Sequence, residues 1–291
     1  MKVPEVEKKI LLEGTCPSWE EAGTVMLGLP VESTSSYRPG SRFGPEAIRS
    51  VFWESLEDYS LYCEEDFTST SLFDWGDARL SRGNIDREIE ESRGAVEKII
   101  RDDKTPLVLG GEHTVTVAAV GGLLGHYPEM EVVQLDAHAD LRPGYQGEKL
   151  SHASTAYRLL DLGVGSIHQL GIRSCTREER SLAGEKTRFY PFRVFEPLQK
   201  ITSGMGNTPV YVTLDIDVVD PAYAPGTGTP EPGGISSAEL LESLQLLSNL
   251  NLVGFDLVEV SPPYDSSGIT SILGAKILRE MAIILNNCKK F

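Results

Sequence analysis

The chain has 291 residues, of which 40% are hydrophobic, and its formal net charge is −16. This length allows one large α/β domain or two small ones, and the hydrophobic content is sufficient for a substantial core. Because phosphate binding depends on clustered Lys and Arg, the acidic balance argues against nucleic acid as a partner. The negative charge would attract a small cationic molecule. It could equally well serve only to keep the protein soluble, because net charge is weak evidence about function.

Cysteine usage and hydropathy predict a chain that stays in the cytoplasm. The four cysteines are too widely spaced for a zinc knuckle or a disulfide framework, so reduced thiols are expected. The charged residues 1–9 lack the apolar core of a signal peptide. The longest uncharged stretch, residues 114–128, is too short for a membrane span, which takes about 20 apolar residues. The cysteines are Cys16, Cys63, Cys175 and Cys288.

Short apolar runs typical of buried strands recur along the chain, and helix-length segments separate most of them. Residues 85–102 have apolar side chains at helical spacing, and residues 237–247 follow a Ser-Ser-Ala-Glu capping pattern. This alternation predicts a mostly parallel sheet covered on both faces. With no repeat or linker, residues 1–291 are expected to form one domain. The predicted strands are 24–27, 71–73, 107–109, 131–135, 167–170, 210–214 and 252–257.

Side chains of metal-binding type follow three of these strands. Ligands of such sheets bind beyond the carboxyl ends of the strands, so these side chains are expected at one edge. The aspartates among them would repel one another in a low dielectric unless positive charge lay between them. A pair of divalent cations is the simplest solution. The residues are His113, Asp136, His138, Asp140, Asp215 and Asp217.

Each piece of this pattern is weak alone, because a single Asp often caps a helix and a single His is usually structural. The segment from Asp136 to Asp140 is stronger, since alternate positions of an extended segment point the same way. By contrast, His126 and His168 have no other candidate ligands near them in the sequence, and they are interpreted as structural or surface residues. Oxygen-rich ligand sets favour manganese over a closed structural zinc site, and two such ions can activate a water molecule.

Three sequence blocks carry a resemblance to a known family. With these blocks the chain resembles the ureohydrolase family, which includes arginases and agmatinases, over nearly its whole length. Residues 38–45, 171–174 and 256–262 add supporting similarity. The blocks are Gly110-Gly111-Glu112-His113-Thr114, Asp136-Ala137-His138-Ala139-Asp140, and Asp215-Ile216-Asp217-Val218-Val219-Asp220-Pro221 with its continuation to Gly228.

The resemblance implies an arginase-like three-layer α/β/α sandwich with a central sheet of about eight mainly parallel strands, in a homo-oligomer of trimers or hexamers. It also implies two Mn²⁺ ions per subunit, bridged by Asp136 and Asp215. The expected ligands are His113, Asp136, Asp140 and Asp215 for one ion, and Asp136, His138, Asp215 and Asp217 for the other.

The resemblance further implies three catalytic roles. Asp140 would pass a proton to the departing nitrogen. Glu259 would pair with the guanidinium of the substrate, unless it is only a capping or buried structural acid. His152 would exchange protons with solvent, a task suited to its ordinary pKa. The motif Ser-His-Ala-Ser around His152 departs from the His-Gly-Thr form of many relatives and is similar to a subgroup assigned as agmatinases.

The loop of residues 141–150 lacks the Asn and Ser/Thr character typical of arginases. Agmatine is therefore the expected substrate, cleaved to putrescine and urea, with Tyr145 or Glu148 beside its distal ammonium. Guanidinobutyrate or arginine stays an alternative, with its carboxylate at Arg142 or Lys149. Two other classes also remain open, a single-zinc amidohydrolase similar to deacetylases and a catalytically silent metal-binding protein.

Overall fold

The computed structural model describes residues 3–7, 12 and 16–288 of the chain. Its strands are β1 (Val6–Glu7), β2 (Thr24–Leu29), β3 (Tyr59–Ser60), β4 (Glu65–Asp66), β5 (Leu72–Ala78), β6 (Thr105–Gly110), β7 (Glu131–Leu135), β8 (Ile167–Ile172), β9 (Arg188–Pro191), β10 (Pro209–Asp215) and β11 (Asn251–Val258).

In the described part of the chain, nine strands form one sheet in the order β1-β5-β2-β6-β11-β10-β7-β8-β9, and β3 pairs with β4 in a separate hairpin. The short edge strand β1 is antiparallel to β5, and the other neighbours in the sheet are parallel. The predicted mainly parallel sheet of about eight strands is therefore confirmed.

Helices cover both faces of the sheet. Apolar side chains of α1, α6, α7 and α8 pack in one hydrophobic cluster, and those of α2, α3, α4 and α5 pack in a second one. Alternate residues of β6 contribute to different clusters, because their side chains point to opposite faces of the sheet. Leu107 and Leu109 belong to the first cluster, and Val108 belongs to the second. The arrangement confirms the three-layer α/β/α expectation. The helices are α1 (Gly44–Ser55), α2 (Ile85–Arg101), α3 (Val115–Leu123), α4 (Thr155–Asp161), α5 (Arg177–Lys186), α6 (Phe195–Gly204), α7 (Ser237–Leu246) and α8 (Ile269–Cys288).

Local sequence signals explain where the predicted helices begin. The side chain of Asn84 accepts a hydrogen bond from the backbone N–H of Arg87 at the start of α2. Ser236 does the same for α7 by accepting from the backbone N–H of Glu239 at 3.1 Å. No described helix is both long and apolar enough to cross a membrane.

The order of the strands brings distant segments of the chain to one place. Strands β6, β11, β10 and β7 are consecutive neighbours, and they run parallel. Their carboxyl ends therefore lie side by side at one edge of the sheet. At or just beyond these four ends lie His113, Glu259, Asp215 and Asp136.

Candidate metal centre and active site

Two groups of candidate ligands meet at this edge. In the first, Nδ1 of His113 lies 3.1 Å from Oδ2 of Asp136 and 3.1 Å from Oδ2 of Asp140. In the second, Nδ1 of His138 lies 3.7 Å from Oδ1 of Asp136 and 2.9 Å from Oδ2 of Asp217. Within each group the ligand atoms are all within 4.8 Å of one another. The two carboxylate oxygens of Asp136 thus face different groups.

Asp215 lies beside the first group. Its Oδ2 is 3.5 Å from Nδ1 of His113, and its Oδ1 accepts a hydrogen bond from the backbone N–H of Asp217 at 2.9 Å. One oxygen therefore faces the site while the other orders the turn that carries Asp217. Its expected role as a second bridging ligand stays a prediction.

The polar atoms of these groups fit divalent cations. Nδ1 of His113 and Oδ2 of Asp217 are fully buried and have no hydrogen-bond partner, although ligand-type atoms surround them. Buried polar atoms without partners are rare and costly, so one cation in each group would satisfy them. The other ring nitrogen of His113 lies 2.9 Å from Oγ1 of Thr213, which holds the ring with Nδ1 toward the site.

Electrostatics at the site also favour positive charge. Burial acts to lower the pKa of His113, but the carboxylates of Asp136 and Asp140 outweigh it and hold that pKa well above its ordinary value. For Asp140, burial and the charge of Asp136 raise the pKa to about 7. Burial and the charge of Asp217 likewise raise the pKa of Asp215. The concentrated negative charge makes these carboxylates hard to ionise until a cation joins them.

The backbone brings Asp140 to the group differently from the extended segment expected from the sequence. Strand β7 ends at Leu135, and Asp140 has a left-handed backbone conformation with φ of 51°. Asp140 thus reaches His113 from a segment that is not a continuous extended strand. Such a left-handed conformation is costly for a residue other than Gly and typical of functional sites.

Glu259 also has a left-handed backbone, with φ of 64°. It directly follows β11, its N–H donates to the carbonyl of Gly111 at 2.8 Å, and its Oε1 accepts from the backbone N–H of His113 at 2.8 Å. Burial and the nearby Glu112 raise the pKa of Glu259 to about 8. A carboxylate whose charged form is disfavoured in this way gains strongly from a cationic partner.

His152 begins a short 3₁₀ turn, His152–Ser154, after the loop that follows β7. Its ring lies between the hydroxyls of Thr34 and Ser36, and edge-on to the ring of Tyr145 with centroids 5.9 Å apart. Burial and the positive charge of His138 lower the pKa of His152 to about 4. A hydrogen bond with the backbone of Thr34 opposes this shift but is weaker than the effect of burial. The imidazole is therefore neutral at physiological pH, and its lowered pKa differs from the ordinary value expected from the sequence.

A cavity of about 270 Å³ opens onto the candidate ligands. Its lining includes Glu259, His152 and Tyr145, whereas Asp136 and Asp217 lie buried behind it. Glu148 and Lys149, by contrast, are exposed and lie outside this cavity. The structure thus brings together all the predicted site residues except Glu148. The predicted residues in the lining are His113, His138, Asp140, Tyr145, His152, Asp215 and Glu259.

Two kinds of contact at the site were not predicted from the sequence. The hydroxyls of Thr34 and Ser36 reach His152 from a loop more than a hundred positions away. Arg173 donates to the carbonyls of Asp217 and Val218 from the loop after β8. The sequence block Gly171-Ile172-Arg173-Ser174, which supports the family resemblance, pointed to Arg173. No sequence pattern pointed to Thr34 or Ser36.

Residues 22–284 match the family model described as the arginase family. The chain belongs to this family. It is 45% identical over 271 residues to an agmatinase of Bacillus cereus, covering 92% of this chain and 93% of that protein. It is 34% identical to a guanidinobutyrase of Pseudomonas aeruginosa over 98% of this chain and 91% of the other. The crystal structure of an agmatine ureohydrolase of Thermoplasma volcanium is similar, with a TM-score of 0.83, 35% identity, and coverage of 94% of this chain and 93% of that one.

Proposed function

We propose that this protein is a ureohydrolase that hydrolyses agmatine to putrescine and urea. The observation that carries the proposal is the position of Glu259, whose half-buried side chain lines the same cavity as ligands of both candidate metal groups, among them His113 and His138. A guanidinium bound to this carboxylate would lie beside both groups. The similarity to the agmatinase of Bacillus cereus supports agmatine as the substrate.

The donor set of six residues supports two divalent cations, proposed to be Mn²⁺, because carboxylate oxygens outnumber imidazoles. When bound, the ions would polarise a water molecule and supply the nucleophile for the guanidinium carbon. The proposed ligands are His113, Asp136, His138, Asp140, Asp215 and Asp217.

The protein's own side chains orient the substrate and move protons. The planar carboxylate of Glu259 can accept two parallel N–H bonds from the guanidinium and hold its carbon in place. The carboxylate of Asp140 can hold a proton and pass it to the nitrogen that departs with the putrescine. Nε2 of His152 faces Ser36 at the cavity wall and can carry protons between the site and solvent.

The far end of the cavity suits a substrate without a carboxylate. Arg142 lines the cavity, but its Nε is 3.5 Å from Oε2 of Glu179, and its guanidinium lies 4.6 Å from the ring centroid of Tyr145. Its charge is therefore already partly compensated. Tyr145 is proposed to contact the aliphatic chain of agmatine, while Glu148 stays a prediction for the ammonium, tested by the KM of Glu148→Gln.

Guanidinobutyrate is the second candidate substrate. Arg142 is the observation in its favour, since it is a cation in the cavity wall that could exchange Glu179 for a substrate carboxylate. The guanidinobutyrase of Pseudomonas aeruginosa is also similar over most of the chain.

The test is urea release by Mn²⁺-loaded protein from agmatine, arginine and guanidinobutyrate. The expected result is the highest kcat/KM for agmatine. A His113→Asn variant, purified in parallel, controls for enzymes of the expression host. Preference for guanidinobutyrate would move the assignment to the second candidate. No urea from any of them, with two metal ions per subunit measured, would support a silent metal-binding protein, and a single bound zinc would support an amidohydrolase.

The remaining proposals concern the whole chain. The two hydrophobic clusters on opposite faces of one sheet support a single domain over residues 1–291. The free thiols of all four cysteines support a reducing, cytoplasmic location. A homo-oligomer, a trimer or hexamer, is proposed from the resemblance to the family, and light scattering in solution would test it.

A further inference from the structure

Both ring nitrogens of His152 have a hydroxyl as neighbour. Nδ1 lies 3.3 Å from Oγ1 of Thr34, and Nε2 lies 3.2 Å from Oγ of Ser36. The backbone N–H of His152 donates to the same Thr34 oxygen at 3.0 Å. A neutral imidazole carries its proton on only one nitrogen, so the tautomer depends on which hydroxyl donates and which accepts.

The single hydrogen of the Thr34 hydroxyl has a preferred acceptor elsewhere. Oγ1 of Thr34 donates to Oε1 of Glu112 at 2.9 Å. Glu112 is 1% exposed, and it also accepts from the backbone N–H of Thr34 at 2.8 Å and from the hydroxyl of Thr114 at 2.7 Å. Both of its carboxylate oxygens therefore act as acceptors; burial raises the pKa of Glu112, and these three hydrogen bonds oppose that shift. Donation to a carboxylate is stronger than donation to a neutral ring nitrogen.

The two lone pairs of the Thr34 oxygen then remain for His152. One accepts the backbone N–H of His152, and the other faces Nδ1, which must carry a hydrogen for this contact to be a hydrogen bond. The opposite tautomer would turn the Thr34 hydroxyl toward Nδ1. That change would take a donor away from the buried carboxylate of Glu112, an unfavourable exchange.

We propose that Thr34 and Glu112 are positioning residues that hold neutral His152 as the Nδ1–H tautomer and leave Nε2 as its proton-accepting atom. This inference rests on the proposed function, in which His152 transfers protons. In the resting state the hydroxyl of Ser36 donates to Nε2. When Nε2 takes up a proton, the imidazole becomes an imidazolium, and the Ser36 hydroxyl rotates to accept from it.

The tautomer is tested directly by neutron diffraction from crystals of the Mn²⁺-loaded protein exchanged into D₂O. The expected map shows deuterium on Nδ1 of His152 and on the Thr34 hydroxyl directed at Glu112, with none on Nε2. Deuterium on Nε2 and none on Nδ1 would overturn the inference. The measurement needs no urea release, so it stands apart from the test of the proposed function.

A pair of variants tests the role of the Thr34 hydroxyl in solution. Thr34→Val removes the hydroxyl at nearly constant volume, and Thr34→Ser keeps it. We expect Thr34→Val to lower kcat for agmatine by about tenfold or more, with KM close to that of the wild type, because proton transfer and not binding is affected. Thr34→Ser is expected to recover most of the kcat.

Two kinetic outcomes would overturn the inference. One is an unchanged kcat in Thr34→Val, and the other is an equal loss of kcat in Thr34→Val and Thr34→Ser when the two variants have equal melting temperatures. Absence of urea release by the wild type would instead contradict the proposed function, while the neutron map would still decide the tautomer.

Discussion

Glu259 and His113 are joined by a hydrogen bond from the backbone N–H of His113 to Oε1 of Glu259, at 2.8 Å. The bond ties the segment after β11 to the segment after β6, and the donation from the N–H of Glu259 to the carbonyl of Gly111 strengthens the tie. A candidate ligand and the candidate guanidinium-binding carboxylate are thus held at a fixed separation. Such prior positioning is what a reaction at a bound guanidinium requires.

The first prediction concerns the charge of Glu259. Glu259→Gln keeps the size of the side chain and an oxygen that can accept from His113, but it cannot take on the negative charge that would pair with a bound guanidinium. We expect kcat/KM for agmatine to fall by about two orders of magnitude, since loss of one partner of a buried charge pair costs several kcal/mol. Steady-state kinetics of urea release measures this. Unchanged metal content and melting temperature would exclude a folding defect, and kinetics close to wild type would contradict the guanidinium-binding role.

The strands and the candidate ligands were the parts of this protein most accessible to sequence reasoning. Strand β7 was predicted with its observed bounds, residues 131–135, because a parallel strand buried on both faces is rich in apolar residues, here Val132, Val133 and Leu135. The ligands followed from the same signal, since they come directly after such runs. The edge strand β9 was missed because its residues are exposed or half-buried and leave no apolar run.

Residues that act through long-range contacts could not be found in this way. Thr34 reaches His152 only because the folded chain brings positions 118 apart together. Likewise, no pattern in one sequence shows that the backbone of Asp140 is left-handed, because the surrounding fold imposes this conformation. Tertiary contacts decide such features, and propensity and periodicity do not encode them.

The second prediction concerns a buried chain of amides behind the metal centre. The side-chain amide of Gln134 donates to Oδ2 of Asp136 at 2.7 Å and accepts from the amide of Gln169 at 3.0 Å. Gln134→Leu removes the bond that orients this carboxylate. We expect Mn²⁺ affinity to fall by about 10-fold to 100-fold, as typical for such supporting residues. Metal titration calorimetry measures it, and Gln245→Leu on α7 is a matched control. Equal affinities of the two variants would contradict the role.

The third prediction concerns Arg173, whose guanidinium donates to the carbonyls of Asp217 at 2.6 Å and Glu231 at 2.7 Å. These bonds connect the turn that carries Asp217 with the loop beside the cavity. Arg173→Met keeps the aliphatic stem but leaves the carbonyls without donors, so the free energy of unfolding is expected to fall by about 2 kcal/mol. Urea denaturation of the metal-free protein measures this. A change as small as that of an exposed control, Arg87→Met on α2, would show that the contacts contribute little.

The fourth prediction concerns His168 and the pH dependence of stability. His168 lies on β8, 6% exposed, with Nε2 at 2.7 Å from Oε2 of Glu131. Burial lowers its pKa, and the charge of Arg188 adds to this, although Glu131 opposes it. In the unfolded chain the pKa is near its ordinary value of about 6.5. Below that value the unfolded chain takes up a proton that the folded protein resists, so the free energy of unfolding falls as the pH falls toward the folded-state pKa.

His168→Gln removes this titration and leaves the other groups in place. Melting temperatures of wild type and variant are compared at about pH 7.5 and about pH 5.5, on either side of the ordinary histidine pKa. We expect the wild type to lose more melting temperature than the variant on acidification, because only its unfolded state gains the additional proton. A larger loss in the variant would mean that the pair with Glu131 outweighs burial and that the pKa of His168 is raised in the folded protein.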